Sequence, residues 1–282
     1  DMGPGIECSG GSAANTIAGL ASMGGKGAFI GKVKNDQLGK VFHHDIESIG
    51  VHFPTTPAAD GASTARCLIQ VTPDAERTMN TYLGACVELG PNDVDEDVVR
   101  ASAVTYLEGY LWDKEDAKAA FVKAAELAHD AGREVSLSLS DPFCVDRHRD
   151  SFLDLVEGHI DILFANEDEI MALYQVDTFD AALQHVRGHC KIAALTRGGK
   201  GSVVVKGDEI HISDAEPDIK VTDTTGAGDA YAAGFLFGYT DGGQDDLAHC
   251  ARLGGIAAAE IIGHFGARSE TPLHEVVAAK IG

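Results

Sequence analysis

Apolar residues along this chain fall into short runs, separated by longer stretches in which they recur every three or four positions. The runs Ala28–Val33, Val104–Leu107, Glu134–Leu139, Asp161–Ala165 and Ile192–Thr196 read as strands. Around and between them, Ser12–Met23, Asp36–Ile49, Lys114–Ala131, Glu167–Tyr174 and Asp180–Arg187 carry the spacing of amphipathic helices. Strands alternating with helices predict a layered α/β fold built on a mostly parallel sheet. In such folds ligands gather beyond the carboxyl ends of the strands. One stretch breaks the alternation. Ser63–Val71 and Arg77–Leu83 are strand-like runs joined by the turn-rich Thr72–Glu76, with no helix between them. They predict an antiparallel hairpin outside the main sheet. Arg66 and Asn80 on it are candidates to meet either a ligand or water.

Charge narrows the partners. Of 282 residues, 22 are basic and 44 acidic, a formal net charge of -22. Such a surface repels nucleic acid and anionic membranes. A polyphosphate would have to be received by a local pocket with its Mg²⁺. The length is ample for a sizeable core. No apolar run approaches the ~20 residues that span a bilayer, and Asp1–Pro4 has neither the basic region nor the apolar core of a leader. Six scattered cysteines indicate neither a zinc site nor a disulfide framework, so reduced thiols and a cytoplasmic location are expected. The histidines, His43 and His44 included, show no metal-ligand spacing.

The most informative segment is Asp223-Thr-Thr-Gly-Ala-Gly-Asp-Ala-Tyr-Ala-Ala-Gly-Phe235. Gly226 and Gly228 allow a tight turn and expose successive N–H groups. Tyr231, Ala232, Phe235 and Leu236 then follow at helical spacing, so the turn opens a helix. A helix start offers unpaired donors and partial positive charge, which suits a phosphate. Asp229 in the first turn either caps its helix or accepts a proton from a hydroxyl attacking phosphorus. Near the amino end, Ser9-Gly-Gly-Ser-Ala-Ala-Asn-Thr16 precedes Gly31-Lys-Val-Lys-Asn-Asp-Gln-Leu-Gly39. Gly10 and Gly11 let a ligand hydroxyl reach the backbone, and Asn15 offers a donor and an acceptor to a diol, unless it faces solvent.

Together these two segments, in this order and more than two hundred residues apart, resemble the signatures of the PfkB, or ribokinase-like, carbohydrate and nucleoside kinases. The resemblance implies a three-layer α/β fold over residues 1–282, with a small β lid inserted at about 51–85. It also implies an ATP- and Mg²⁺-dependent transfer of the γ-phosphate to a primary hydroxyl. Asp229 would be the base, and the N–H groups of Gly226, Ala227 and Gly228 the anion hole. Gly10, Gly11 and Asn15 would hold the substrate. The lid hairpin would cover the sugar and, in a homodimer, form the interface; a monomer is the alternative.

Asn166 and Glu169 fit the family's Asn-x-x-Glu motif, with Glu169 holding Mg²⁺ through water. The competing reading is a helix whose first turn is enriched in acids. Thr196-Arg-Gly-Gly-Lys-Gly201 resembles the loop along ATP, with Thr196, Gly198 and Gly201 at the nucleotide and Arg197 and Lys200 either at phosphates or in solvent. Asp223, with Gly266–Ser269 opposite, is a candidate monovalent cation (K⁺) site or a structural turn. Ser138-Leu-Ser-Asp-Pro-Phe143 and Asp161–Asn166 look most like the adenosine-kinase branch. Thr78–Ala85 is similar to bacterial members described as sugar or adenosine kinases. The family's first strand carries an acid some tens of residues before the Gly-Gly pair. Here Gly10 is ten residues from the start, so a fragment or a missing central strand is expected, with Asp1 no substitute. Adenosine is the first acceptor expected. A carbohydrate kinase of ribokinase, fructokinase or 2-keto-3-deoxygluconate kinase type is the alternative, and a non-catalytic binding relative a further one.

Overall fold

The computed structural model describes residues 5–75 and 77–281. The expectations attached to Asp1–Pro4 and to Glu76 in the hairpin turn lie outside these residues. In chain order the elements are α1 (Ser12–Ser22), α2 (Gln37–Ser48), β1 (Arg66–Val71), β2 (Arg77–Tyr82), α3 (Glu96–Ala101), β3 (Val104–Glu108), α4 (Glu115–Asp130), β4 (Glu134–Ser138), α5 (Pro142–His159), β5 (Ile162–Asn166), α6 (Glu167–Tyr174), α7 (Phe179–Val186), β6 (Ile192–Thr196), β7 (Ser202–Lys206), β8 (Glu209–Ser213), α8 (Ala227–Thr240), α9 (Leu247–Ile261) and α10 (Leu273–Ile281).

Strands β3 to β8 lie side by side in sequence order. The first three pairings are parallel and the last two antiparallel. The β7–β8 hairpin has no counterpart among the strands expected from sequence. Its signals were the run Val203–Val205 and the Gly207-Asp208 turn.

Alternate residues of the strands point to opposite faces and so build two cores. Leu163, Leu195, Val203 and Val205 pack with Phe121, Phe152 and Leu173 of α4, α5 and α6. Ile162, Phe164, Ile192 and Val204 pack with Phe235 and Tyr239 of α8 and Cys250 of α9. That double burial explains why these strands read as unbroken apolar runs. The sheet is the middle of three layers, and its parallel strands end on the side where α6 and the β6–β7 loop begin.

Ala28–Val33 departs from expectation. It forms no strand and pairs in parallel only at the isolated bridge Ala28↔His52 and, one residue beyond it, Lys34↔Ala58. His52 N and Ala58 N donate to Gly27 O and Val33 O, whereas Pro54, on the same side of that segment, has no N–H to donate, which breaks the ladder between the bridges. The hairpin is as expected, with β1 and β2 antiparallel from Arg66↔Tyr82 to Val71↔Arg77. Its root is fastened by Asp36, whose carboxylate caps α2 through Gly39 N at 2.9 Å and accepts from Thr64 N at 2.9 Å and Thr64 Oγ1 at 2.7 Å.

Candidate active site

The α8 start is set by Gly226, which occupies the left-handed region at φ 81°, ψ 4° as the cap residue. A Cβ there would lie 2.6 Å from the Cβ of Ala267, so this turn is closed to any other residue twice over. Gly228 already lies inside the helix, and a Cβ on it would meet nothing within 4 Å. It therefore does not make the turn, as sequence suggested; it leaves the helix start open to a ligand. Among the described residues no backbone carbonyl accepts from the N–H of Gly226 or Gly228, whereas Ala227 N donates to Thr224 O at 3.3 Å. Of the three expected anion-hole donors, Ala227 is thus partly spent on the turn.

Asp229 is reached from α1. Ser12 Oγ donates to its Oδ1 at 2.7 Å and Asn15 Nδ2 to its Oδ2 at 3.0 Å. Burial pushes the Asp229 carboxyl above the usual aspartate range, against the pull of the Asn15 and Ser12 hydrogen bonds and the Arg77 charge. The two signatures therefore meet at one carboxylate. Asn15 does not offer both its groups to a ligand as expected. Its amide N–H is committed to Asp229, and its Oδ1 is buried without a partner. An orphaned acceptor beside Asp229 calls for a hydroxyl donor. Gly11 caps α1 at φ 96°, and Gly10 and Gly11 border the same cavity.

Three groups that the sequence reading passed over belong here. Ser12 was quoted only as part of a motif. Glu108, at the carboxyl end of β3, borders the cavity; burial, with the Asp229 charge, pushes it up to about 8. Its signal was an acid closing a strand at the ligand-binding end of a parallel sheet. Arg77 on β2 contacts Thr224 Oγ1 in the glycine turn, and its charge acts on both Asp223 and Asp229. Arg77, Met79 and Thr81 alternate along the cavity side of β2. Asn80 therefore lies on the opposite face, while Arg66 stacks over Tyr82, 4.8 Å from the ring centre.

On the side expected to take the nucleotide, Asn166 and Thr196 end adjacent strands and are paired in register. Asn166 caps α6, and Glu169 closes a reciprocal box. Glu169 N donates to Asn166 Oδ1 at 2.8 Å, while Asn166 N and Nδ2 donate to the Glu169 carboxylate at 2.9 and 2.7 Å. Burial pushes Glu169 up to about 7, opposed by the Asn166 N–H and aided by Asp141, Asp168 and Asp229. Among the described residues no three His, Cys, Asp or Glu side chains are arranged to hold a metal directly. A crowd of carboxylates that raise one another does suit a cation held through its waters, which is how Mg²⁺ prefers to bind.

Gly198 and Gly201 shape the β6–β7 loop, closed by Arg197 N→Gly201 O at 2.8 Å and Gly201 N→Gly198 O at 3.0 Å. Arg197 and Lys200, expected either at phosphates or in solvent, form ion pairs. Each reaches Glu167 at 3.2 Å. Asp223 Oδ1 accepts from Thr225 N and Oγ1 at 2.9 and 2.6 Å, and its Oδ2 accepts from Gly266 N at 3.0 Å. Burial opposes its ionisation, yet these bonds hold its carboxyl below the usual range. Its carboxylate is engaged in closing the turn, so a monovalent ion there would rely on backbone oxygens.

Gly10, Ser12, Asn15, Arg77, Glu108, Asn166, Glu169, Gly201, Asp223 and Asp229 border one cavity of about 3390 Å³, larger than the several hundred to ~1,000 Å³ of a one-ligand site. No helix among the described residues is long and apolar enough to cross a membrane. The structure superimposes on that of adenosine kinase from Sinorhizobium meliloti with TM-score 0.95 and 54% identity, covering 100% of this chain and 85% of that one. It matches a probable sugar kinase protein from Rhizobium etli CFN 42 with TM-score 0.96 and 52% identity, covering 99% and 84%. In sequence it is 32% identical to an ATP-dependent ribose-1-phosphate kinase of Halopiger xanaduensis over 97% of this chain and 86% of the relative. The pattern of the pfkB family carbohydrate kinases spans residues 7–273. With that match laid over the meeting of the two glycine motifs at Asp229, the chain belongs to the pfkB family, whose members phosphorylate sugars and nucleosides.

Proposed function

We propose that this kinase transfers the γ-phosphate of ATP to the primary hydroxyl of a nucleoside, adenosine first, with Asp229 as the general base. The observation that carries the proposal is the half-buried Asp229 carboxylate at the start of α8, aligned by Ser12 and Asn15. The acceptor hydroxyl oxygen forms a bond to the γ-phosphorus. The bond from that phosphorus to its bridging oxygen breaks, and ADP leaves with the electron pair. The hydroxyl proton goes to Asp229, whose raised carboxyl pKa brings it nearer working pH and improves it as a proton acceptor. The N–H groups of Gly226 and Gly228 stabilise charge on the phosphoryl group in transfer. Arg77 brings a further positive charge from the hairpin lid, and Asn15 Oδ1 accepts from an acceptor hydroxyl. Asn166 and Glu169, with Asp141 and Asp168 near, would hold the waters of Mg²⁺. When bound, that ion neutralises polyphosphate charge.

The 54% identity to an adenosine kinase supports the nucleoside acceptor. A sugar acceptor is the second reading, favoured by the sugar kinase and ribose-1-phosphate kinase among the relatives. The test is ADP release from ATP and Mg²⁺ with adenosine, ribose, fructose and 2-keto-3-deoxygluconate. A kcat/KM highest for adenosine supports the proposal. Preference for a sugar moves the acceptor and leaves Asp229 in place, and no turnover of any of the four overturns both acceptor readings.

A further inference from the structure

The segment after β8 is held from behind by an ion cluster with no place in the chemistry above. The Glu216 side chain is 3% exposed. Its Oε1 accepts from Arg252 Nη1 of α9 at 2.7 Å, and its Oε2 from Lys280 Nζ in the last turn of α10 at 2.8 Å. Two helices thus converge on one carboxylate in an otherwise irregular loop. The same loop borders the cavity through Asp214, Ala215, Glu216 itself, Asp218 and Ile219.

The loop also abuts the nucleotide side of the site. Gly201 sits at φ 81°, and a Cβ on it would fall 2.0 Å from Ser213 O and 2.8 Å from Ala215 N. The β6–β7 loop and the Ser213–Ala215 backbone are therefore in direct contact, with no side chain between them to absorb a shift. A displacement of one must displace the other. Glu216 is the residue next to that contact, and its two cations tie it to the α8–α9–α10 layer rather than to the loop itself.

We propose that Glu216 is a positioning residue for nucleoside triphosphate binding. Through Arg252 and Lys280 it fixes the 213–219 segment against Gly201, so that the Thr196–Gly201 loop is set before the nucleotide arrives. This rests on the reading of Thr196–Gly201 as the ATP loop. A loop ordered in advance spares the ligand the cost of ordering it, and losing that order weakens binding of the ligand it touches and of no other.

Glu216→Gln tests this. The two cations are partly exposed, with side-chain exposures of 43% and 38%, and regain water when the charge is removed. The variant is expected to fold, which a cooperative thermal transition checks. The expected result is a Kd for ATP, measured by calorimetry, about five- to tenfold weaker than wild type, which is just under one factor of ten in affinity. KM for the acceptor and kcat at saturating ATP stay within about twofold. The double variant Arg252→Gln, Lys280→Gln, which leaves the carboxylate buried and unpaired, weakens ATP at least as much. An unchanged Kd for ATP in Glu216→Gln overturns the proposal. So does an equal weakening of ATP and acceptor, which marks a merely structural role. Because the comparison is a ratio of ATP affinities, it is independent of which acceptor is phosphorylated. If the wild-type protein itself fails to bind ATP, it is the kinase reading that falls, and the Glu216 role with it.

Discussion

The amino termini of α6 and α8 are built alike up to a point. In each, an acidic side chain sits three residues after the cap: Glu169 after Asn166, Asp229 after Gly226. In α6 the cap residue has a side chain, and the acid folds back on it to close a reciprocal box. In α8 the cap residue is a glycine in the left-handed region, with nothing for the acid to grip. Asp229 turns instead to α1 and is held by Ser12 and Asn15. The same dipole favours both carboxylates. What differs is whether the cap satisfies the acid locally, and a glycine cap leaves it available for chemistry.

The sharpest way to break this comparison is to neutralise each acid in turn. Asp229→Asn should lower kcat by roughly 10²–10⁴-fold with little change in ATP affinity, the usual weight of a general base. A loss under about tenfold would remove Asp229 from its proposed role. Glu169→Gln keeps the bond from Asn166 N but loses the one from Asn166 Nδ2, because an amide has a single acceptor oxygen, and should cost less than about tenfold in kcat while raising the Mg²⁺ concentration needed. Thermal melting separates a catalytic from a folding effect. Asp229→Asn should melt no lower than wild type at neutral pH, because burial disfavours the carboxylate it replaces.

Next in size is the turn itself. Gly226→Ala forces a Cβ against Ala267 at positive φ and should destabilise by about 1–3 kcal/mol, with activity lost in proportion. Asn166→Ala removes the α6 cap and should cost about 0.5–2 kcal/mol by urea unfolding. Comparable destabilisation from Gly228→Ala, whose Cβ would meet open space, would contradict the steric account.

The smallest effect is on pH dependence. Glu108 and Glu169 are raised from 4.5 to about 8 and about 7. The folded state therefore binds their protons more tightly than the unfolded chain does. Their stabilisation is complete below about pH 4.5 and is lost as pH rises through about 7 and then 8. Melting temperature should fall across that window. Glu108→Gln should flatten its upper part, and an unchanged slope would mean that Glu108 is not buried as described.

Much of this was legible in sequence for stated physical reasons. Ile192–Thr196 and Glu167–Tyr174 were placed to the residue, because double burial and a capped helix leave plain patterns. The Gly226 turn and Asp229 were legible because few residues tolerate that backbone. Pairings across the fold were not. No local pattern says that Asn15 would spend its amide on a residue more than two hundred positions away, or that Arg197 and Lys200 would settle on Glu167. Ala28–Val33 misled because its own composition suits a strand, while the obstacle lies in Pro54 of its partner.

The hairpin β1–β2 is fastened at two places, by Asp36 to Thr64 at its root and by Arg77 to Thr224 beside the transfer site. A flap pinned at its hinge and latched at its free end behaves as a clasp, not a drifting loop. If products of the proposed reaction leave past this hairpin, the pace of repeated turnover becomes a mechanical quantity. It should slow in viscous solvent, even where the phosphoryl step itself feels no drag.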